Sequence, residues 1–246
     1  MRPALLANLL VVGSGAAALV AQGFTPDLYY AVAQEDGPLE WASFWAFFGA
    51  AGVGAWAAIR NRAQIPWCET GFALLCLFIA LEEISWGQRL IGYRPPSYFL
   101  EHNFQQELNL HNVVDTGLRK LGLQGLTLGY GVALPLLLLF SPMRSFARRL
   151  RVFAPPLALA PAFLATGLLY LWYPIHLTGE VVEFMLGCGL LFVALAPEPY
   201  DAPKHGNPLV RIGSSAILVA GLGGLSAYVG NQPRACLLYT SDAADE

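Results

Sequence analysis

Charge is what this sequence has least of. Only 13% of its 246 residues are Asp, Glu, Lys or Arg, while 56% are hydrophobic; an ordinary soluble domain carries roughly 25% charged residues. That balance argues against a soluble globular chain and equally against a disordered or collagen-like one. Lysine is scarcer still. Lys120 and Lys204 are the only two, both in loops between apolar runs, which leaves no intramembrane amine for a retinal Schiff base. The cysteines form no CxxC pair, and Cys68, Cys76 and Cys188 fall in or beside apolar runs, where a thiol acts as a small hydrophobe. The GxxxxGK[ST] phosphate loop, the HExxH zinc motif and the GxSxG nucleophile elbow are all absent. Nucleic-acid binding has no support, because the cluster Arg144, Arg148, Arg149 and Arg151 reads as a cytoplasmic anchor to anionic lipid.

Long hydrophobic runs take the place of charge. Seven stretches, 4–23, 41–60, 68–90, 124–141, 155–173, 178–196 and 212–230, are each expected to cross a hydrocarbon core of about 30 Å at about 1.5 Å per residue. The first is read as an uncleaved helix, since its run outlasts a signal-peptide core and no A-x-A site ends it. The expected fold is an all-α, polytopic transmembrane bundle of about seven helices in one domain, residues 1–235. Residues 236–246, CLLYTSDAADE, match the conceptual translation of a transposase sequencing adapter. They are expected to be a non-native tail, with the native chain continuing past Ala235. Removing Asp242, Asp245 and Glu246 from the 17 acidic residues leaves 14, equal to the 14 basic ones, so the formal charge of −3 becomes zero.

Basic residues set the orientation. A cytoplasmic N-terminus in a bacterial inner membrane places Arg2, Arg60, Arg62, Arg144, Arg148, Arg149, Arg151, Lys204 and Arg211 inside, against Arg89, Arg94, Arg119, Lys120 and Arg234 outside. Asp27, Glu35, Asp36, Glu40, Glu82, Glu83, Glu101, Glu107, Asp115, Glu180 and Glu183 then fall at the outer face. In the long loop 91–123, apolar residues recur with rough helical spacing after Pro95-Pro96, and an amphipathic helix on the outer leaflet is expected there.

The third helix runs from Gly71–Leu81 straight into Glu82-Glu83-Ile84-Ser85-Trp86-Gly87-Gln88-Arg89. A charge at a helix centre costs about 2.5–3.5 kcal/mol on insertion scales, so two adjacent acids need a reason: a structural ion pair or a functional carboxylate. Continued helix would put Glu82, Ser85 and Arg89 on one face. Downstream, Glu107, His111 and Asp115 share a face if helical, the spacing of a metal site or of a base oriented by carboxylates. The amides Asn103, Gln105, Gln106, Asn109 and Asn112 suit sugar hydroxyls, lipid headgroups or water. Thr178 is the expected cap of the sixth helix, with Glu180 in its first turn and Glu183 one turn deeper. Asp36 is the expected cap of the second helix, ahead of Glu40. These elements meet at one membrane level, so one polar site near the outer interface is inferred.

The run EEISWGQR, with Glu35-Asp36-Gly37 and Glu40 before it and Asn103 to Asn112 after it, resembles a group of uncharacterised bacterial multi-pass membrane proteins, for which no activity is implied. A weaker similarity is to ceramidase and progestin-receptor-type membrane hydrolases, seven-helix proteins with Ser, Asp and His around zinc. That resemblance implies such parts for Ser85, His111, Asp115 and His176, although the late HxxxH pair of that group is absent.

Two functional classes follow. One is an enzyme acting on lipid or lipid-linked sugar, with Glu82 or Glu83 as acid/base and His111 with Asp115 or Glu107 as an oriented base. Ser85 completes its reactive set, while Glu40, Trp86, Gln88, Arg89, Asn103, Gln106, Asn109 and Asn112 contact substrate. A divalent metal would fall to Glu107, His111, Asp115, His176 and Glu180. The other is a transporter or accessory subunit in which the same acids bind protons or a cation. A purely structural assembly protein is a third reading and predicts that no single acid matters.

Overall fold

The computed structural model describes residues 3–60, 67–103, 105–196 and 208–230, and every regular element among them is helical. The adapter-like tail, Arg2, Arg62, Phe104, Lys204, Arg234 and the side chains of Arg89 and Arg211 lie outside the described residues. Helix α1 (Pro3–Phe24) leads into the short α2 (Pro26–Ala33), α3 (Pro38–Arg60) and α4 (Trp67–Glu83). A tight turn, Ser85–Gly87, precedes α5 (Gln88–Ile91) and α6 (Ser97–His102). A rod follows, built from α7 (Thr116–Gln124), a widened stretch Gly125–Ala133 and α8 (Leu134–Leu137). Then come α9 (Ser141–Leu150), α10 (Ala160–Trp172), α11 (Thr178–Leu195) and α12 (Pro208–Gly230).

Among the described residues, four helices are long and apolar enough to cross a membrane: α1, α3, α11 and, within α12, Ile212–Val229. Taking the rod and α9 as one bent span makes five, against the seven expected. The shortfall has local causes. Helix α4 has 17 residues because the chain turns after Glu83. In the rod, Pro135 cannot donate to the carbonyl four residues back, and the preceding turns widen to π geometry at Gly125–Ala133. The apolar segment before Tyr173 opens with a single 3-10 turn, Leu157–Leu159, so its regular helix starts only at Ala160.

Helix α3 is the central element, packed along α4, α11 and α12. A small residue recurs every fourth position on it, Ala42, Ala46, Ala50, Gly54 and Ala58, and all five are buried. With no aqueous phase driving apolar faces together, membrane helices associate through close backbone approach, and such stripes permit it. Gly223 sits against Ala42 so closely that an added Cβ would lie 2.8 Å from its methyl, and Gly187 meets Ala46 in the same way at 3.1 Å. Gly131 on the rod packs under Phe163 of α10. Asn8 of α1 reaches α10, donating to the Ala158 carbonyl at 2.7 Å and accepting from the Ala162 amide at 3.0 Å, which supplies a partner for a helix-start N–H. Ala46→Leu is expected to destabilise the fold by about 1–3 kcal/mol through overpacking, seen as a lowered unfolding midpoint in detergent. Ala55→Leu, on the exposed side of the same helix, is expected to leave the midpoint unchanged.

Candidate functional site

The polar end of the bundle begins where α4 stops. Ser85 and Trp86 have φ of 47° and 56°, and Gly87 has φ of 76°. Three left-handed residues end the helix and reverse the chain. Ser85 and Arg89 therefore do not continue the Glu82 face, as an unbroken helix would have required. The expected interfacial amphipathic helix is also replaced: after α6 the chain is irregular from Asn103 to Asp115, with Gln106 at φ of 56°. Glu107, His111 and Asp115 consequently do not share a helical face.

The irregular loop instead ties itself to the end of α4. Glu82, 4% exposed, accepts the Trp86 indole N–H at 2.6 Å, the Leu110 amide at 2.6 Å and the His111 amide at 2.9 Å. The His111 ring Nδ1 lies 3.5 Å from the same carboxylate. Ser85 donates its hydroxyl to Glu107 at 2.5 Å, and Asn109 donates to Ser85 at 3.1 Å and to Glu107 at 3.2 Å. Asn103 donates to the Glu107 carbonyl at 2.7 Å and to the Asn109 side-chain oxygen at 2.8 Å. Gln88 accepts the Leu108 amide at 2.7 Å. Ser85, Gln88, Asn103, Glu107 and Asn109 are all buried. Burial of so many polar groups is stable only when they satisfy one another, and these do.

Other expected site residues serve local structure. Asp115 is exposed and caps α7, accepting from the Gly117 and Leu118 amides at 2.8 and 3.3 Å. Asp36, with φ of 58°, turns its amide toward the Glu40 carboxylate. Thr178 does not cap α11 either. Leu177 holds that position, and the Thr178 hydroxyl donates at 2.5 Å to the Ile175 carbonyl in the preceding turn. His176 is exposed, and its carbonyl accepts the Tyr29 hydroxyl at 2.6 Å. Burial pushes the Tyr29 hydroxyl up to about 12, with Tyr173 and Glu180 adding to the effect, so it stays a donor throughout the neutral range. Asn112 donates to Gln105, and Gln105 to Glu35, while Gln106 is exposed. The metal set Glu107, His111, Asp115, His176 and Glu180 is thus dispersed over separate environments, and no three His, Cys, Asp or Glu among the described residues converge to enclose a metal ion.

A second group of acids is gathered at the same end without comparable hydrogen bonding. Glu83, 7% exposed, is faced by the charges of Glu183, Glu180, Glu40 and Glu82. Glu40 in turn is faced by Glu180, Glu107, Glu35 and Glu183. Among the described residues, Arg119 acts against this on Glu180 and Glu183, and His111 on Glu183. Glu83 is the last residue of α4. It lines a cavity of about 20 Å³ together with Asp36, Glu40, Trp41, Ile84, Ser85, Leu90 and Glu107. An apolar groove of about 170 Å³, lined by Trp86, Phe99, Leu108, Asn109 and Leu110, lies beside the knot. Arg119 was not assigned to the site from sequence; it is one of five cations placed on the acidic side, and nothing in the sequence sets it apart from Lys120 beside it.

No family model, curated protein or solved structure matches the chain, so its chemistry is read from this geometry. Glu82→Ala is expected to free the amides of Leu110 and His111. Hydrogen bonds to a charged group contribute about 1.5–3 kcal/mol, and each 1.4 kcal/mol is about tenfold. Hydrogen exchange at those two amides should therefore accelerate by roughly tenfold to a hundredfold, while exchange within α11 stays unchanged.

Proposed function

We propose that this is an integral protein of the bacterial inner membrane in which all seven apolar rods cross, with the N-terminus cytoplasmic. Glu83, Glu40, Glu180 and Glu183 then form a proton-binding site at the outer interface, serving a transporter or an accessory subunit of one. The observation that carries this reading is Glu83: buried at the end of α4 and placed on a small cavity that the carboxylates of Asp36, Glu40 and Glu107 also line. Two like charges about 5 Å apart repel by roughly 3 kcal/mol even at an effective dielectric constant of about 20. A cluster of four acids faced by Arg119 and His111 therefore takes up positive charge from outside. The cavity volume decides what form that charge has. About 20 Å³ holds one water or an ion of similar size, and a sugar ring does not fit.

The lipid-enzyme reading draws support from one feature, the apolar groove of about 170 Å³ beside Asn109, wide enough for part of an acyl chain. In that reading Glu83 is the acid/base. Ser85 is a poor nucleophile, because its hydroxyl is committed to Glu107 and no imidazole among the described residues bonds to it.

The two readings separate in proteoliposomes carrying a pH-sensitive dye. Under an imposed proton or sodium gradient the wild-type protein should give a flux that Glu83→Gln lowers by an order of magnitude or more. Glu101→Gln, at an exposed position, should leave it intact. A wild-type protein that moves neither ion, alone or with the subunits it purifies with, would sink the transport reading.

A further inference from the structure

At the end of the molecule remote from the carboxylates, the chain makes a bend of 115° between the rod Thr116–Leu137 and α9. Relative to a rod standing along the membrane normal, that angle leaves α9 about 25° from the membrane plane. Side-chain chemistry fixes the bend. Arg144 turns back and donates to the carbonyls of Leu138 and Leu139 at 2.9 and 3.2 Å, taking acceptors that the end of the rod leaves open. Beyond α9, Arg151 adopts a φ of 54°, and the Val152 amide returns to the Ala147 carbonyl at 2.9 Å. The Cys68 thiol at the start of α4 donates to the Leu150 carbonyl at 3.4 Å, and Phe153 packs on Phe72 with ring centres 4.7 Å apart. Both ends of the helix are therefore pinned across the base of the bundle.

Between the pins the apolar side chains stay exposed. No residue of α9 is buried. Met143, Phe146 and Leu150 recur at i, i+3 and i+7 and form one apolar stripe, each about half exposed. At about 100° per residue, Arg144 and Arg149 flank that stripe and Arg148 lies opposite it. No Asp or Glu occurs between Ser141 and Arg151. Ten residues form a marginal helix in water by themselves, so an exposed apolar stripe on so short an element needs a medium that covers it. An apolar stripe flanked by guanidinium groups, held nearly parallel to the membrane, matches the boundary between acyl chains and phosphates.

We propose that α9 lies in the cytoplasmic interface with Met143, Phe146 and Leu150 among the acyl chains, and that Arg149 and Arg151 hold anionic phospholipid headgroups. This rests on the membrane-spanning reading of the rods and not on the proton site.

The test uses the full chain with its native cysteines replaced and a single nitroxide at Phe146→Cys or, separately, Arg149→Cys. The protein is placed in nanodiscs of phosphatidylcholine alone or mixed with phosphatidylglycerol. The label at 146 should be open to oxygen and shielded from a water-soluble nickel complex, with the label at 149 more open to nickel. Native mass spectrometry should show phosphatidylglycerol retained over phosphatidylcholine, and R149Q/R151Q should lower that preference roughly tenfold or more at an unchanged unfolding midpoint. Met143→Cys repeats the depth measurement if the label at 146 disturbs folding. A stripe as open to nickel as a loop position would overturn the proposal, as would a lipid preference untouched by R149Q/R151Q. Proton flux is measured independently, so the loss of either proposal leaves the other standing.

Discussion

A carboxylate at the end of an apolar helix is tolerable only where N–H donors or opposite charges replace the water it gives up. Glu82 and Glu83, adjacent in the chain, meet that constraint in opposite ways. Three N–H groups and an imidazole converge on Glu82, which makes it the fastening point for the loop that follows. Two of those donors are backbone amides, so the position of the chain at Leu110 and His111 is dictated by this one side chain. Once the loop is held there, Glu107 reaches Ser85, and Asn103 and Asn109 close the network around it. Glu83 receives none of this. The acids Glu183, Glu180, Glu40 and Glu82 act on it, and the cavity beside it lies between the fastened loop, the start of α3 and the end of α4.

Much of this was legible in the sequence. Apolar runs of about 20 residues announce helices whatever their tertiary contacts, and adjacent acids at the end of one run mark a costly position. What failed was the extension of helical periodicity past Glu83. Gly87 is a visible turn signal, but left-handed Ser85 and Trp86 are not, because neither residue type prefers that conformation; the donors on the returning loop hold them there. The same blindness affected the amide-rich segment. Asn103, Asn109 and Gln88 have the composition of a ligand-binding loop, yet a sequence does not show whether amides face a ligand or one another. Burial decides, and these are buried and mutually bonded. Asp115 was misplaced for a related reason: an acid four residues after His111 suits a helical metal site and equally a cap for the next helix, and the helix begins at Thr116.

The two ends of the bundle are chemically opposite, and α4 measures their separation. From Cys68, beside Leu150, to Glu83 it climbs about 22 Å at about 1.5 Å per residue, most of the thickness of a hydrocarbon core of about 30 Å. Acids collect at one end and the arginines of α9 at the other. The small-residue stripe of α3 makes this arrangement compact, since Ala46 against Gly187 and Ala42 against Gly223 draw α11 and α12 inward along the same axis. Close packing at the level of α3 brings Glu40, Glu180 and Glu183 toward Glu83 despite their repulsion. Repulsion among the acids is thus opposed by packing within two turns of them.

Glu107 belongs to both halves of the polar end, and this shared membership gives the arrangement its consequence. Its carboxylate accepts the Ser85 hydroxyl and one Asn109 N–H, while the same side chain walls the cavity and is among the charges facing Glu40. On the proton-binding reading, positive charge entering the cavity changes the field at Glu107 and so its strength as an acceptor for Ser85. Linkage requires the reverse as well: any state of the loop that loosens Ser85 from Glu107 changes the affinity of the cavity for charge by the same factor. On that reading, a structural knot and an acid cluster that meet at one residue form a coupled pair, in which Glu82 holds the loop in place and Glu107 carries the state of the cavity to it.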